Sequence, residues 1–420
     1  MPDHGPDASA VAPPSRLFLI GYVLAFVGAF VSVSPLLQIL TPMRAGAIDA
    51  ADKASVLSQA VFYGALAAGV ANVAAGAISD RTRSRLGRRR PWIVIGALAT
   101  AASYLLILRA QTPLALVTAL VVWQCAFNLM FSPLVALFAD RVPVARRGVM
   151  SAVVGMAYPT ATAVGSAIMG WGPQGEAARF AVLAFVVIAT TVPFALLSRE
   201  PLPPAGAASL EPRRRISLAA FVRPFRDRDF ALAWSGRFFI ITGYAVVGVY
   251  LLYYLADVVR VSDQFAGGMS PEAGHSVVTA ISLCGVVLVT LVAAATAWRF
   301  KRRKPYAALA GALLAGGAFM LALTSNWATV VGAFVLYGLG MGFYAAIEMA
   351  LMTDVLPSEQ DHGKDLGLIN LAATLPQAIA PLLALVLLKG LNMGFQGLFS
   401  VAGLCFVAAT FSILSIRRIR

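Results

Sequence analysis

Long apolar runs separated by short polar segments dominate the sequence. A helix needs roughly 20 apolar residues to cross the hydrocarbon core of a membrane, and twelve runs reach or approach that length. The runs are continuous rather than alternating, which argues against the strands of a membrane barrel. We therefore predict an all-α membrane protein with twelve transmembrane helices, at residues 17–40, 54–78, 91–108, 114–139, 148–171, 178–198, 229–256, 274–298, 305–323, 328–353, 366–388 and 395–416.

The longest polar stretch divides these helices into two sets of six. Residues 199–228 follow the sixth span and are rich in proline and arginine. The first fifteen residues contain four prolines and neither lysine nor arginine, so they lack the charged start of a signal peptide. We predict four regions: a disordered cytoplasmic tail at 1–16, a six-helix bundle at 17–198, a cytoplasmic linker at 199–228 and a second six-helix bundle at 229–420.

The two halves repeat each other in sequence. The third span opens at Arg-Arg-Arg-Pro-Trp (88–92) and the ninth at Arg-Arg-Lys-Pro-Tyr (302–306). Pro91 and Pro143 are 52 residues apart, and Pro305 and Pro357 are also 52 apart. Duplicated six-helix halves joined by a basic central loop are the layout of secondary transporters that rock between two states.

Composition and charge support a membrane protein and set its orientation. Apolar residues make up 59% of the chain, charged residues only 12%, and mean hydropathy is +0.80, which a water-soluble globule cannot hide. The net charge of +14 does not call for a nucleic-acid partner, because the basic residues lie between the apolar runs. With a cytoplasmic N-terminus, 26 of the 33 lysines and arginines fall in cytoplasmic segments and 6 outside, so both termini are predicted to be cytoplasmic.

Several motifs together resemble a known family. The loop at 76–92, GAISDRTRSRLGRRRPW, resembles the signature between helices 2 and 3 of the major facilitator superfamily. Its arginine-rich form, the segment 362–377 and the motifs at 237–255 resemble the glycoside–pentoside–hexuronide and sucrose–proton symporter branch. The resemblance covers essentially the whole chain. It implies two pseudo-symmetric six-helix bundles in an inner membrane, with a sugar-sized substrate carried by alternating access.

The same loop supplies a candidate gate. Asp80 ends the second helix beside a basic cluster, where its carboxylate can accept hydrogen bonds from arginine or from a neighbouring helix N-terminus. A bond of this kind made in only one rocking state would act as a latch, whereas the alternative for the arginines is membrane topology alone. The predicted gate residues are Gly76, Asp80, Arg81, Gly87, Arg88, Asp140 and Asp354.

Two full charges lie well inside the spans: Arg237 in the seventh and Glu348 in the tenth. A charge within the membrane costs at least about 2.5–3.5 kcal/mol, so each is a functional candidate. In the resembled superfamily, helices 1, 4, 7 and 10 line the central cavity. Arg237 is eight residues past Asp229, about 12 Å up its helix, and Glu348 is six residues before Asp354, about 9 Å up its own. We predict a charge pair that couples transport to protons; the alternative is a structural salt bridge.

Polar and aromatic residues near these charges form the candidate substrate site. Such side chains suit a sugar, whose faces are apolar and whose rim carries hydroxyl groups. The alternatives are helix packing or an interfacial belt for the aromatic residues, and interhelical hydrogen bonds for Gln124 and Asn128. The candidates are Tyr344, Tyr337, Tyr244, Gln124, Asn128, Trp123, Tyr158, Asn370 and Gln377.

The function predicted from these residues is proton-coupled symport of a sugar or glycoside. Melibiose-permease-like relatives carry aspartates within helices 2 and 4 for a sodium site, but here neither span has an acid before Asp140. The alternative is an exporter of drugs or metabolites by proton antiport on the same fold. We predict no enzymatic activity, no metal and no cofactor other than the proton gradient, with a small molecule and the lipid bilayer as partners and the monomer as the working form.

Overall fold

The computed structural model describes residues 15–142, 150, 153–198, 223–265, 267–295, 304–354 and 362–417, without the side chains of 139, 223, 294 and 349–370. This part of the chain is helical throughout and contains twelve helices long and apolar enough to span a membrane, which confirms the predicted fold class. The twelve are α1 (Arg16–Ile48), α2 (Lys53–Arg81), α3 (Arg90–Leu108), α4 (Pro113–Arg141), α5 (Ala157–Trp171), α6 (Glu176–Leu197), α7 (Arg228–Val258), α8 (Pro271–Ala295), α9 (Lys304–Leu323), α10 (Trp327–Asp354), α11 (His362–Leu385) and α12 (Gly394–Leu414).

Short polar residues start several of these helices. The side chains of Ser15, Thr112 and Asp227 each accept a hydrogen bond from a backbone N–H in the first turn of α1, α4 and α7, at 3.1, 3.2 and 3.0 Å. Such caps satisfy donors that have no partner within the helix. They fix where these three helices enter the bundle.

Helix packing repeats between the halves. In the first half α1 packs on α5 and α6, α2 on α4, and α3 on α4 and α6; in the second half the corresponding pairs are α7 with α11 and α12, α8 with α10, and α9 with α10 and α12. The halves meet where α5 packs on α8, where α2 packs on α11 and where α1 meets α7. The predicted pseudo-symmetric pair of six-helix bundles is therefore confirmed.

The hydropathy pattern predicted several helix ends too early. The first helix continues from 40 to Ile48 through a π-helical turn at Leu36–Leu40, and the second continues from 78 to Arg81. Similar wide turns lie at Tyr254–Val258 in α7 and, directly after α11, at Val386–Gly390. Hydropathy marks where the apolar run stops, whereas backbone hydrogen bonding continues into polar residues. The predicted tail and most of the linker lie outside the described residues.

Because consecutive helices run in opposite directions, the bundle has two faces. We call the face with the ends Arg16, Arg81, Arg90 and Arg417 the terminal face, because both ends of the described chain lie there. The opposite face, with the helix ends Lys53 and Pro113, is the distal face.

Candidate transport site and its gates

An ion pair joins the two charges inside the spans. A guanidinium nitrogen of Arg237 on α7 lies 2.6 Å from Oε1 of Glu348 on α10. The hydroxyl of Tyr344, one helical turn from Glu348, donates to the same oxygen at 3.0 Å. The two charged side chains are 16% and 21% exposed, and Nε of Arg237 is buried with no hydrogen-bond partner in the part of the chain that the structure describes. The pair is thus largely withdrawn from water but still reachable by it, and its role in coupling stays a prediction.

A narrow cavity lies between the halves on the distal side of this pair. Tyr244, seven residues past Arg237 and so about 10 Å further along α7, forms one wall, and its ring stacks on Tyr337 at 5.8 Å between centroids. Tyr158 packs against Tyr244 at 6.3 Å and accepts a hydrogen bond from Gln38 at 3.5 Å. The lining residues are Gln38, Pro159, Thr162, Tyr244, Val247, Gly248, Leu251, Thr279, Ser282, Leu283, Phe334 and Tyr337.

The lining of this cavity carries no charged side chain among the described residues. The free space within it is about 40 Å³, enough for a few water molecules at the roughly 10–15 Å³ that each requires. A sugar ring is larger than this. A ligand of that size enters only if the two halves or the aromatic side chains move apart.

Three residues predicted to bind substrate lie inside the first half instead. Trp123 is fully buried and stacks on Phe127 at 5.5 Å. Gln124 and Asn128 are 8% and 6% exposed, and Asn128 is held by the amide of Asn72 on α2 at 3.1 Å. Asn128 in turn donates to the backbone oxygen of Gln124 at 2.9 Å. These contacts favour the packing alternative for Trp123 and the interhelical hydrogen-bond alternative for Asn128. The hydrogen bonds of Gln124 that the structure describes stay within α4.

The structure gives less information on the remaining predicted residues. Gln377 is exposed on α11, and the structure puts it in no cavity described above. The side chains of Asn370 and Asp354 lie outside the described residues, so their predicted roles stay predictions.

Charged and polar contacts between the halves close the distal face. Lys53 on α2 pairs with Asp257 on α7 at 2.7 Å, and the neighbouring Asp52 pairs with Lys389 in the π-helical turn after α11 at 2.5 Å. Deeper in, Arg179 on α6 pairs with Glu272 on α8 at 3.5 Å. We call these three pairs the distal seal. Each joins a residue of the first half to one of the second.

Uncharged contacts between the halves add to the distal seal on its side nearer the membrane centre. The hydroxyl of Tyr250 on α7 lies 2.6 Å from that of Ser58 on α2, and Ser166 on α5 lies 3.1 Å from Nδ1 of the buried His275 on α8. Helix packing is tight at Gly170, where an added Cβ would lie 2.9 Å from the Cα of Ala273. Both residues also border an open depression of about 760 Å³ at the distal surface. The two halves are in direct van der Waals contact on this side.

The same helices separate towards the terminal face. One stripe of α2, from Gln59 to Val73, is exposed along its whole length, as a lipid-facing surface is. Towards the terminal face Gly69, Asn72 and Ile78, which lie off this stripe, are exposed as well. A Cβ added at Gly69 on α2, or at Gly155 just before α5, would meet no atom within 4 Å. The described part of the molecule is therefore closed at the distal face and splayed at the terminal face.

The predicted gate motif forms a charge cluster at the terminal face. Arg89, at the start of α3 and 6% exposed, pairs with Asp80 at the end of α2 at 2.6 Å and with Asp140 at the end of α4 at 3.2 Å. Arg88 pairs with Asp140 at 2.8 Å, while Arg81 is exposed. All the members described belong to the first half. Asp80 thus meets an arginine, as one of the predicted options had it, but this contact does not join the two halves.

Each of the two glycines in the predicted gate motif has a local structural role. Gly87 has φ +95°, a left-handed conformation that favours glycine, and it turns the chain into α3. A Cβ at Gly76 would lie 3.2 Å from the hydroxyl oxygen of Ser132 on α4. Small size at Gly76 therefore allows the close approach of α2 and α4.

Several residues at these sites were not predicted from sequence. Gln38, Thr162, Thr279 and Ser282 line the cavity as isolated polar residues in apolar runs, and Arg89 is the central member of an arginine run. The π-helical turn around Gln38 has no sequence signal that we can identify. Equally, nothing in the run 88–90 marks which arginine turns inward.

No group of three histidine, cysteine, aspartate or glutamate side chains among the described residues is placed to hold a metal ion. The free cysteines Cys125, Cys284 and Cys405 lie on three different helices.

The sequence matches the Major Facilitator Superfamily over residues 18–271 and again over 234–419. Together these ranges span nearly the whole chain, and the twelve-helix fold agrees with them. The chain therefore belongs to the major facilitator superfamily and is a membrane transporter rather than an enzyme. No curated protein matches the sequence.

Solved structures of transporters share the fold at low sequence identity. A variant of the nucleoside transporter NupG superposes with a TM-score of 0.74 and 11% identity, over 96% of this chain and 100% of that one. The peptide transporter POT, solved with sulfate, gives 0.69 and 14% over 96% of each chain. A bacterial homolog of the human lysosomal transporter Spinster gives 0.60 and 13%, again over 96% of each. At these identities the likeness shows the fold, and it does not indicate the substrate of this chain.

Proposed function

We propose that this transporter moves a sugar or glycoside together with protons, by alternating access between the two membrane faces. The proposal rests on the order in which the cavity and the ion pair lie along the membrane normal. An uncharged cavity with aromatic and hydroxyl groups lies directly under the distal seal, and the Arg237–Glu348 pair lies about 10 Å nearer the splayed terminal face. Substrate and proton sites are thus close but distinct, as coupling requires.

The cavity chemistry supports a neutral polar substrate. Tyr244 and Tyr337 offer ring faces against which a sugar ring can pack, and the hydroxyl and amide groups of Thr162, Ser282 and Gln38 can exchange hydrogen bonds with its rim. A charged substrate would lose its hydration in a cavity without an opposite charge, which costs several kcal/mol.

The ion pair supports proton coupling. Glu348 offers one carboxylate oxygen to both Arg237 and Tyr344. A protonated carboxyl group no longer holds the guanidinium by charge, so protonation and ion pairing compete. Because the pair is partly exposed and lies nearer the splayed terminal face than the cavity does, we expect a proton bound in the other state to be released to this side when the pair forms.

Uptake into proteoliposomes tests the proposal. Reconstituted protein should accumulate one or more labelled sugars when the substrate side is more acidic, and a gradient of one pH unit should support about tenfold accumulation per proton. A protonophore serves as the control and should reduce accumulation to simple equilibration. Uptake of sugars that is independent of the pH gradient would contradict proton coupling.

The exporter alternative keeps one observation in its favour. Half of the cavity lining is apolar, including Val247, Leu251 and Phe334. A multidrug exporter working by proton antiport would move hydrophobic or cationic compounds into acid-loaded vesicles as protons leave them, and it would not transport the sugars in the panel. That result would replace the symport proposal.

We further propose that the terminal face is cytoplasmic and that the protein lies in the inner membrane as a monomer. The excess of arginine at the terminal face is the reason for the proposed orientation. In a background lacking native cysteines, Arg85→Cys, exposed at the terminal face, should react with an impermeant thiol reagent only in opened cells. Gln111→Cys, exposed at the distal face, should react in intact cells. The reverse pattern would invert the proposed topology.

A further inference from the structure

Tyr337 stands apart from the other buried tyrosines. Seven tyrosines are less than 9% exposed, and six of them donate or share a hydrogen bond through the hydroxyl: Tyr22, Tyr104, Tyr250, Tyr253, Tyr254 and Tyr344. The hydroxyl of Tyr337 is buried and has no partner among the described residues, although its side chain is only 3% exposed. Burying a hydroxyl without a hydrogen bond costs about 1–3 kcal/mol, so this group needs an explanation.

The ring of Tyr337 is held firmly in place. It stacks on Tyr244, packs against Phe334 at 5.7 Å and meets Phe406 edge-on at 5.8 Å. Gly317 on the neighbouring α9 comes close enough that a Cβ there would lie 3.5 Å from the ring. The side chain therefore has little freedom to turn its hydroxyl towards a protein acceptor elsewhere.

Three other hydroxyls at or beside the cavity, those of Thr162, Thr279 and Tyr158, already have partners. Thr162 shares a hydrogen bond with Ser34 at 2.8 Å, and Thr279 donates to the backbone oxygen of His275 at 2.8 Å. Tyr158 accepts from Gln38 at 3.5 Å. Tyr337, which lines the same cavity, is thus a fixed donor with its hydrogen-bonding capacity left over.

We propose that Tyr337 determines substrate specificity by donating a hydrogen bond to an oxygen of the transported molecule. The inference rests on the proposed function and narrows its substrate class. The substrate is a neutral molecule with an ether, hydroxyl or carbonyl oxygen adjacent to a ring face that packs on Tyr244. A phenylalanine would fill the same space among these rings without the cost of an unpaired hydroxyl, which is why the hydroxyl points to a ligand.

The Tyr337→Phe variant tests this assignment. It removes a hydroxyl that has no protein partner, so thermal stability in detergent should be unchanged or higher. In exchange of internal for external sugar, the KM for the best substrate should rise about tenfold, the effect of one lost hydrogen bond. For the one monodeoxy analogue that lacks the contacted oxygen, wild type and variant should have the same KM.

Tyr104→Phe is the matched control. Tyr104 is equally buried, but its hydroxyl donates to the backbone oxygen of Ser32 inside the first half, at 2.8 Å and outside the cavity lining. Its loss should lower thermal stability and leave the order of preference across the analogues unchanged. The two variants therefore separate a ligand contact from a structural one.

Two outcomes overturn the assignment in distinguishable ways. If wild type exchanges sugars and Tyr337→Phe follows it across the whole analogue series, or loses stability as Tyr104→Phe does, the specificity role is wrong while the proposed function stands. If wild type exchanges no sugar in the panel, the proposed function fails and this inference fails with it.

Discussion

Replacing Glu348 with glutamine will abolish sugar accumulation driven by a pH gradient while sparing exchange of internal for external sugar. Glutamine keeps the shape of the side chain and an oxygen that can accept from both Tyr344 and Arg237, so the local packing survives and Arg237 keeps a hydrogen-bond partner although it loses the opposite charge. It cannot bind and release the coupling proton. Exchange persists because it requires no net proton movement. The accumulation ratio at one pH unit should fall from about ten to one.

The measurement is paired uptake and exchange in the same proteoliposomes, with Asp263→Asn as the control. Asp263 is an exposed carboxylate in the loop before α8 and should tolerate neutralisation. Full pH-driven accumulation by Glu348→Gln would rule out Glu348 as the proton carrier. Loss of exchange as well would mean that Glu348 binds substrate or holds the fold, and Asp80, Asp140 and Asp354 would become the next candidates.

Replacing Arg237 with methionine will have the largest effect on folding. It leaves Glu348 facing a largely dry interior without its partner, which lies 2.6 Å away in the structure. Breaking a fully buried pair costs about 3–5 kcal/mol. With 16% and 21% exposure this pair should fall below that range but still lower the unfolding temperature clearly.

The double variant Arg237→Met with Glu348→Gln separates folding from coupling. Neutralising both partners should restore thermal stability towards the wild-type value and leave accumulation absent. Arg237→Lys, which keeps the charge, should retain part of the thermal stability and part of the pH-driven accumulation. The measurement is thermal unfolding in detergent together with pH-driven uptake. Normal accumulation by the single and double variants would show that the pair has no role in coupling.

The charge pair is the part of the candidate site that could be predicted from the sequence. Two charges of opposite sign in apolar runs of helices 7 and 10 are expensive enough to stand out, and counting helical rise placed them at similar depth. Trp123, Gln124 and Asn128 could not be assigned in the same way. Their polarity or aromaticity is the same whether they face the cavity or a neighbouring helix, and only packing decides which.

The sequence by itself determined the class of fold. A bilayer requires every backbone polar group in its core to be satisfied within the span, so twelve continuous apolar runs leave only twelve helices. The 52-residue spacing between prolines, which occurs in both halves, predicts a repeated organisation. In the fold, the same pairs of helices pack together in each half.

The tertiary structure alone decided how these helices are gated. The distal seal joins Asp52 and Lys53 to partners more than 200 residues away, and which face closes depends on how two bundles lean on each other. The free hydroxyl of Tyr337 and the inward turn of Arg89 likewise depend on neighbours from other helices. Apolar sequence reports whether a residue can enter the membrane, but its contacts there are set by a three-dimensional packing that local patterns do not encode.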